Sequence, residues 1–84
     1  MPGGFDGAEL RRRRLEDFAQ VTLAALYENE QHQIGYIDLE RHVAALMVKT
    51  GLTEPKVIEM LKLLNHAGKF ELDEKEGKIK KLTI

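Results

Sequence analysis

The sequence contains no cysteine, no tryptophan and no serine. Without cysteine there is no disulfide, no cysteine-ligated zinc and no thiol nucleophile. Without serine there is no serine nucleophile. The three histidines, His32, His42 and His66, show no spacing that pairs metal ligands along a helix. Apolar residues never run long enough to span a bilayer. An excess of either charge is also missing: 13 basic residues face 14 acidic ones, for a net charge of −1. Bulk attraction to nucleic acid is therefore absent, and any such contact must come from local patches. The first residues, Met1-Pro2-Gly3-Gly4, carry neither the charged leader nor the apolar run of a signal peptide. A cytoplasmic setting is the expectation, or a nuclear one in a eukaryote.

What is present is periodicity. Residues 1–5 read as a flexible N-terminal end, and residues 6–84 as one domain. Asp6 with Glu9 has the spacing of a helix-capping pair. A first helix follows from Gly7 to about Glu28. Its apolar face is Leu15, Phe18, Ala19, Thr22, Leu23 and Leu26. Arg12/Glu16 and Arg13/Asp17 are ion-pair spacings on that helix. The polar run from Asn29 to Gln33 reads as a loop. Ile34-Gly35-Tyr36-Ile37 reads as a short strand, or as an extended link with its isoleucines in the core.

Asp38 is placed to cap a second helix, Leu39 to Thr50, which Gly51 ends. Thr53 is expected to cap a third helix with Glu54-Pro55 in its first turn. Val57, Leu61 and Leu64 form its inner stripe, and Gly68 ends it. Phe70 and Leu72 then alternate with polar residues. Asp73 to Gly77 reads as a turn. Lys78 to Ile84 alternates again, with a change of phase that suggests a bulge near Lys80-Lys81. The fold class read from this order is α+β, a winged helix-turn-helix. It has three helices, a C-terminal β-hairpin and a short strand near residues 34–37.

No pocket chemistry emerges. There is no phosphate-binding glycine loop, and Asp73, Glu74 and Glu76 lack the spacing of a calcium loop. His42 and His66, each among charges on a helix, read as solvated or half-buried rather than as bases. The expectation is a non-enzyme without metal or cofactor. Three surfaces remain as contact candidates. The outward side of the third helix carries Lys56, Glu59, Lys62, Leu63 and His66, with Met60 at its border. Four consecutive arginines, Arg11, Arg12, Arg13 and Arg14, encircle the first helix; guanidinium forks match phosphate geometry. The hairpin carries Lys78, Lys80 and Lys81 behind an acidic tip.

Several stretches together resemble one family. They are Leu15, Phe18, Leu23 and Leu26; the run Gly35 to Leu39; the Gly51-Leu-Thr-Glu-Pro-Lys-Val run; and the stripe Val57, Leu61, Leu64. The exit Ala67 to Glu71 and the closing Gly77-Lys-Ile-Lys-Lys-Leu complete the set. The chain from Leu15 to Ile84 resembles the C-terminal winged-helix domain of minichromosome maintenance proteins, the replicative helicases. That resemblance implies a regulatory appendage with weak, phosphate-directed DNA contact or a protein-docking role in replication, and no catalytic residue. No helicase core accompanies it here, and the arginine run has no counterpart in that pattern.

Two functions follow as expectations. In the first, the chain is a DNA-binding accessory domain using Arg11 to Arg14, Lys56, Lys62, His66, Lys78, Lys80 and Lys81. In the second, it is a protein-interaction or dimerisation module using Met60 and Leu63, or the long first helix. No membrane contact is expected.

Overall fold

A computed structural model describes residues 7–82, with side chains from residue 12 onward. The chain runs α1 (Gly7–Gln31), β1 (Tyr36–Asp38), α2 (Leu39–Thr50), α3 (Glu54–His66), β2 (Glu71–Asp73) and β3 (Lys78–Lys80). It is an α+β arrangement of three helices and a three-stranded antiparallel sheet. The expected Asp6–Glu9 capping pair and the loose residues 1–5 lie outside the described residues.

Helix α1 continues past Glu28 to Gln31. Glu and Gln are good helix formers, so the polar run extends the helix instead of breaking it. The stop comes from Gln33, which takes the left-handed conformation at φ 59°. Its N–H donates to Glu30 C=O at 3.0 Å, and the Ile34 N–H donates to Asn29 C=O at 2.9 Å. This is the paired closure that usually recruits glycine. The Asn29 amide then donates to Tyr36 C=O at 2.8 Å and sets the start of β1.

Asp38 caps α2 as its type and position predict, accepting from the Arg41 N–H at 3.0 Å. Gly51, at φ 75°, ends that helix with its N–H on Met47 C=O at 2.8 Å. Thr53 is extended at the start of α3, but its side chain makes no capping hydrogen bond. Gly68, at φ 77°, ends α3 with the same paired closure that Gln33 provides for α1.

Strand β3 lies in the middle of the sheet, between β1 and β2. Ile79 faces Ile37 on one side and Leu72 on the other. The strand is shorter than its alternation suggests and stops at Lys80, so strand end replaces the expected bulge. The strand expected at residues 34–37 is shifted to 36–38: Ile37 is buried, while Ile34 stays 41% exposed. Two hydrogen bonds fix the sheet to the helices, one from a side chain and one between backbones. The Asn65 amide oxygen accepts from Leu72 N–H at 3.0 Å. The Leu39 N–H donates to Gly77 C=O at 2.8 Å, tying the start of α2 to the hairpin turn.

The core lies between the helices and the inner sheet face. Phe70, Leu46, Leu61, Ile79 and Val57 are its fully buried apolar side chains, joined by Thr22. Leu23, expected on the buried face of α1, is 39% exposed. It sits at the edge of the stripe, where the wheel turns from Ala19 and Leu26 toward solvent.

Phe70→Ala removes a whole aromatic ring from this core and is expected to cost about 3–5 kcal/mol, measured by urea unfolding. Gly51→Ala places a Cβ on left-handed backbone and is expected to cost about 1 kcal/mol by the same measurement, since open space around Gly51 leaves only backbone strain.

Candidate interaction surfaces

The outer side of α3 is built as its period requires. With Val57, Leu61 and Leu64 buried, Lys56, Glu59, Lys62, Leu63 and His66 are exposed. Met60 is not available: it is 5% exposed and belongs to the core. It falls on the flank of α3 between the inner stripe and Leu63, and the neighbouring elements cover that flank. Leu63 remains 49% exposed.

The lysines on this side do not stand alone. Lys56 Nζ lies 3.6 Å from Glu59, one turn along α3. Lys62 Nζ lies 3.3 Å from Glu74 at the hairpin tip, bridging helix and hairpin. On the sheet, Lys78 pairs with Glu76 at 3.4 Å and also lies over the Tyr36 ring, 4.3 Å from its centroid. Lys80 reaches Asp73 at 3.5 Å and Glu76 at 3.9 Å. Lys81, beyond the strand, meets Glu30 of α1 at 3.4 Å. Glu76 also donates its backbone N–H to Asp73 Oδ1 at 3.0 Å. That hydrogen bond, with the Lys80 ammonium adding to it, holds the Asp73 carboxyl below its ordinary value. Exposed pairs of this kind add little to stability, being screened by solvent. Their larger consequence is local neutralisation of the surface.

The arginine run behaves differently. Arg12 and Arg14 are exposed, and among the described residues neither forms an ion pair; in particular Arg12 does not reach Glu16. Arg13 is engaged. The side chain of Arg11 lies outside the described residues. Arg13 and Arg14, with Asp17, border a groove of about 450 Å³ against Lys49 and Thr50 at the end of α2. The structure therefore separates the candidates: Lys62, Lys78 and Lys80 meet the hairpin carboxylates, whereas Arg13 and Arg14 border the end of α2.

A second groove, of about 530 Å³, opens between the first turns of α2 and α3 and the hairpin turn. Asp38, Glu40, Glu54 and Glu76 rim it, and no cation lines it. Among the described residues Glu40 and Glu54 have no ion-pair partner. The acidic residues that cap and begin these helices are legible one by one in the sequence. Their convergence requires the Leu39–Gly77 hydrogen bond that draws the hairpin turn onto α2.

His42 departs from expectation. It is 6% exposed, with Nε2 2.8 Å from the hydroxyl of Thr22, which is fully buried. Val43 and Leu46 turn α2 toward the core, and His42 is carried against α1 with them. Burial, with the charge of Lys49 adding to it, lowers its pKa below the ordinary 6.5. His66 is exposed as expected. Among the described residues no group of three or more His, Asp or Glu is placed to hold a metal ion. No described helix is long and apolar enough to cross a membrane. Set against protein-family models, curated proteins and solved structures, the chain matches none.

The His42–Thr22 contact carries a pH dependence. A histidine held neutral in the fold binds its proton more readily when unfolded. Its stabilising contribution is complete above the unfolded value of 6.5 and is lost as pH falls below it. Denaturant unfolding between neutral and mildly acidic pH is expected to show stability falling by up to about 1.4 kcal/mol per pH unit from this one group. His42→Gln is expected to flatten that part of the profile.

Proposed function

We propose that this chain is a winged-helix domain that serves as a non-catalytic binding module, and that its partner on the α3 side is a protein. The order of helices and hairpin supports the winged-helix reading. The nature of the partner rests on one observation. Lys56, Lys62, Lys78, Lys80 and Lys81 each lie within 4 Å of a carboxylate, while Leu63 stands 49% exposed on the outer side of α3. A face that reads DNA gains its affinity from uncompensated cations against phosphate. Here Glu59 and Glu74 would have to be displaced or desolvated beside phosphates of the same sign. An apolar side chain among paired charges is the composition of a protein contact, with an apolar centre and a polar rim. Leu23 and Tyr27, one turn apart on α1 and 39% and 67% exposed, add apolar surface on the helix against which α3 packs.

DNA contact is the second reading, and Arg12 and Arg14 favour it, being exposed and without ion pairs. Contact there would be weak and directed at phosphate. A role attached to replication, which the family resemblance implies, suits either partner.

An NMR titration with a short DNA duplex at low and high salt separates the two. The protein reading expects no shifts at Lys56, Lys62, Lys78 and Lys80; strong, salt-sensitive shifts there would overturn it. Affinity capture from the native host, with wild type and Leu63→Glu side by side, is expected to lose its specific partner in the variant. Leu63→Glu should leave thermal stability within about 0.5 kcal/mol of wild type, as expected for an exposed position.

A further inference from the structure

The groove between α2, α3 and the hairpin turn has a chemistry that the α3 surface does not share. Its rim is acidic on every side. Two of its carboxylates are already committed: Asp38 accepts from the Arg41 N–H, and Glu76 pairs with Lys78 and Lys80. Glu40 and Glu54 are exposed and unpaired. Between them the lining is aliphatic, with Leu39, Met47 and Ile58 all only partly buried against the core. Such a groove suits a side chain that is apolar along its stem and cationic at its tip.

The same chain carries that side chain in surplus. Helix α1 is 25 residues long, about 37 Å at the helical rise. Among the described residues its first buried side chain is Phe18, with Leu15 partly buried one turn earlier. Arg12 to Arg14 thus stand ahead of the first buried side chain of α1 among the described residues. Arg12 and Arg14 are exposed and have no ion pair. Cations in the first turns of a helix oppose its dipole, so their position does not serve the helix itself.

We infer that the acidic groove receives the arginine-bearing start of α1 from a second copy of this chain. Arg12 and Arg14, two apart on the helix, point to different sides, so the methylene stem of one covers Leu39, Met47 and Ile58 and its guanidinium fork meets Glu40 or Glu54, while the other faces the groove's acidic rim at longer range. A carboxylate fork suits arginine better than lysine, since two parallel N–H donors are presented at once. The contact is charge-driven, so it weakens with salt. It is independent of the α3 reading and uses neither Leu63 nor the paired lysines.

Sedimentation velocity of the chain over a range of concentrations, at low and at high salt, tests this. The expected result is a reversible dimer at low salt that dissociates at high salt. Arg12→Glu/Arg14→Glu and Glu40→Lys/Glu54→Lys should each weaken dimerisation by about tenfold or more. An equimolar mixture of the two reversed variants should regain association, because each then offers a matching run and groove. Glu40→Gln/Glu54→Gln, gentler on the two helix starts, should weaken the dimer without loss of the helical circular dichroism. A wild type that stays monomeric at low salt would overturn the inference. So would a dimer that neither reversal disturbs, or variants that weaken the dimer singly but gain nothing on mixing.

Discussion

Everything on the outside of this molecule is oriented by Ile79. It is fully buried at the centre of the middle strand, level with Ile37 and Leu72 on its two neighbours. Successive side chains of a strand point to opposite faces, so an inward Ile79 forces Lys78 and Lys80 outward. A slip of one residue would drive two lysines into an apolar core and expose the isoleucine. The register is thereby pinned by burial rather than by the few backbone hydrogen bonds of three-residue strands. The lysine pairs with Asp73 and Glu76, and the ring contact with Tyr36, all follow from that register.

The charge pattern decides more about function than the fold does. An arrangement of this kind can serve many partners, and only its surface chemistry distinguishes them. On the α3 side each described lysine of the candidate set meets a carboxylate, some close in sequence, as Lys56 and Glu59, and some distant, as Lys81 and Glu30. Around the groove between α2, α3 and the hairpin turn, Glu40 and Glu54 meet no cation among the described residues. A chain of near-zero net charge thus divides into a neutralised face, an acidic groove and a basic helix start.

The helices and the hairpin were legible because apolar spacing, Asp38, Gly51, Pro55 and Gly68 all agree with the folded outcome. Most of the misreadings come from contacts between residues distant in sequence, and one from a local closure. Gln33 stops α1 although glycine is the usual residue at such a stop, and the Asn29–Tyr36 hydrogen bond that accompanies it joins residues seven apart. His42 looks solvent-facing among charged neighbours in sequence, yet its partner Thr22 is twenty residues away. Met60 sits on the wheel where burial depends on what packs beside α3, which spacing alone does not specify. The candidate cations were individually nameable, but their pairing was not. Lys62 with Glu74 and Lys81 with Glu30 are brought together only by the docking of separate elements.

The hydrogen bond from Leu39 to Gly77 has a mechanical meaning. It fastens the turn between β2 and β3 to the first backbone amide of a helix whose opposite end adjoins Gly51 and α3. Strand β3 is already paired with β1, which runs directly into that helix, and this bond carries the attachment one step further into the turn. Anchored here, the turn moves only if the beginning of α2 moves with it. A force or ligand acting on the turn therefore also pulls on the start of α2.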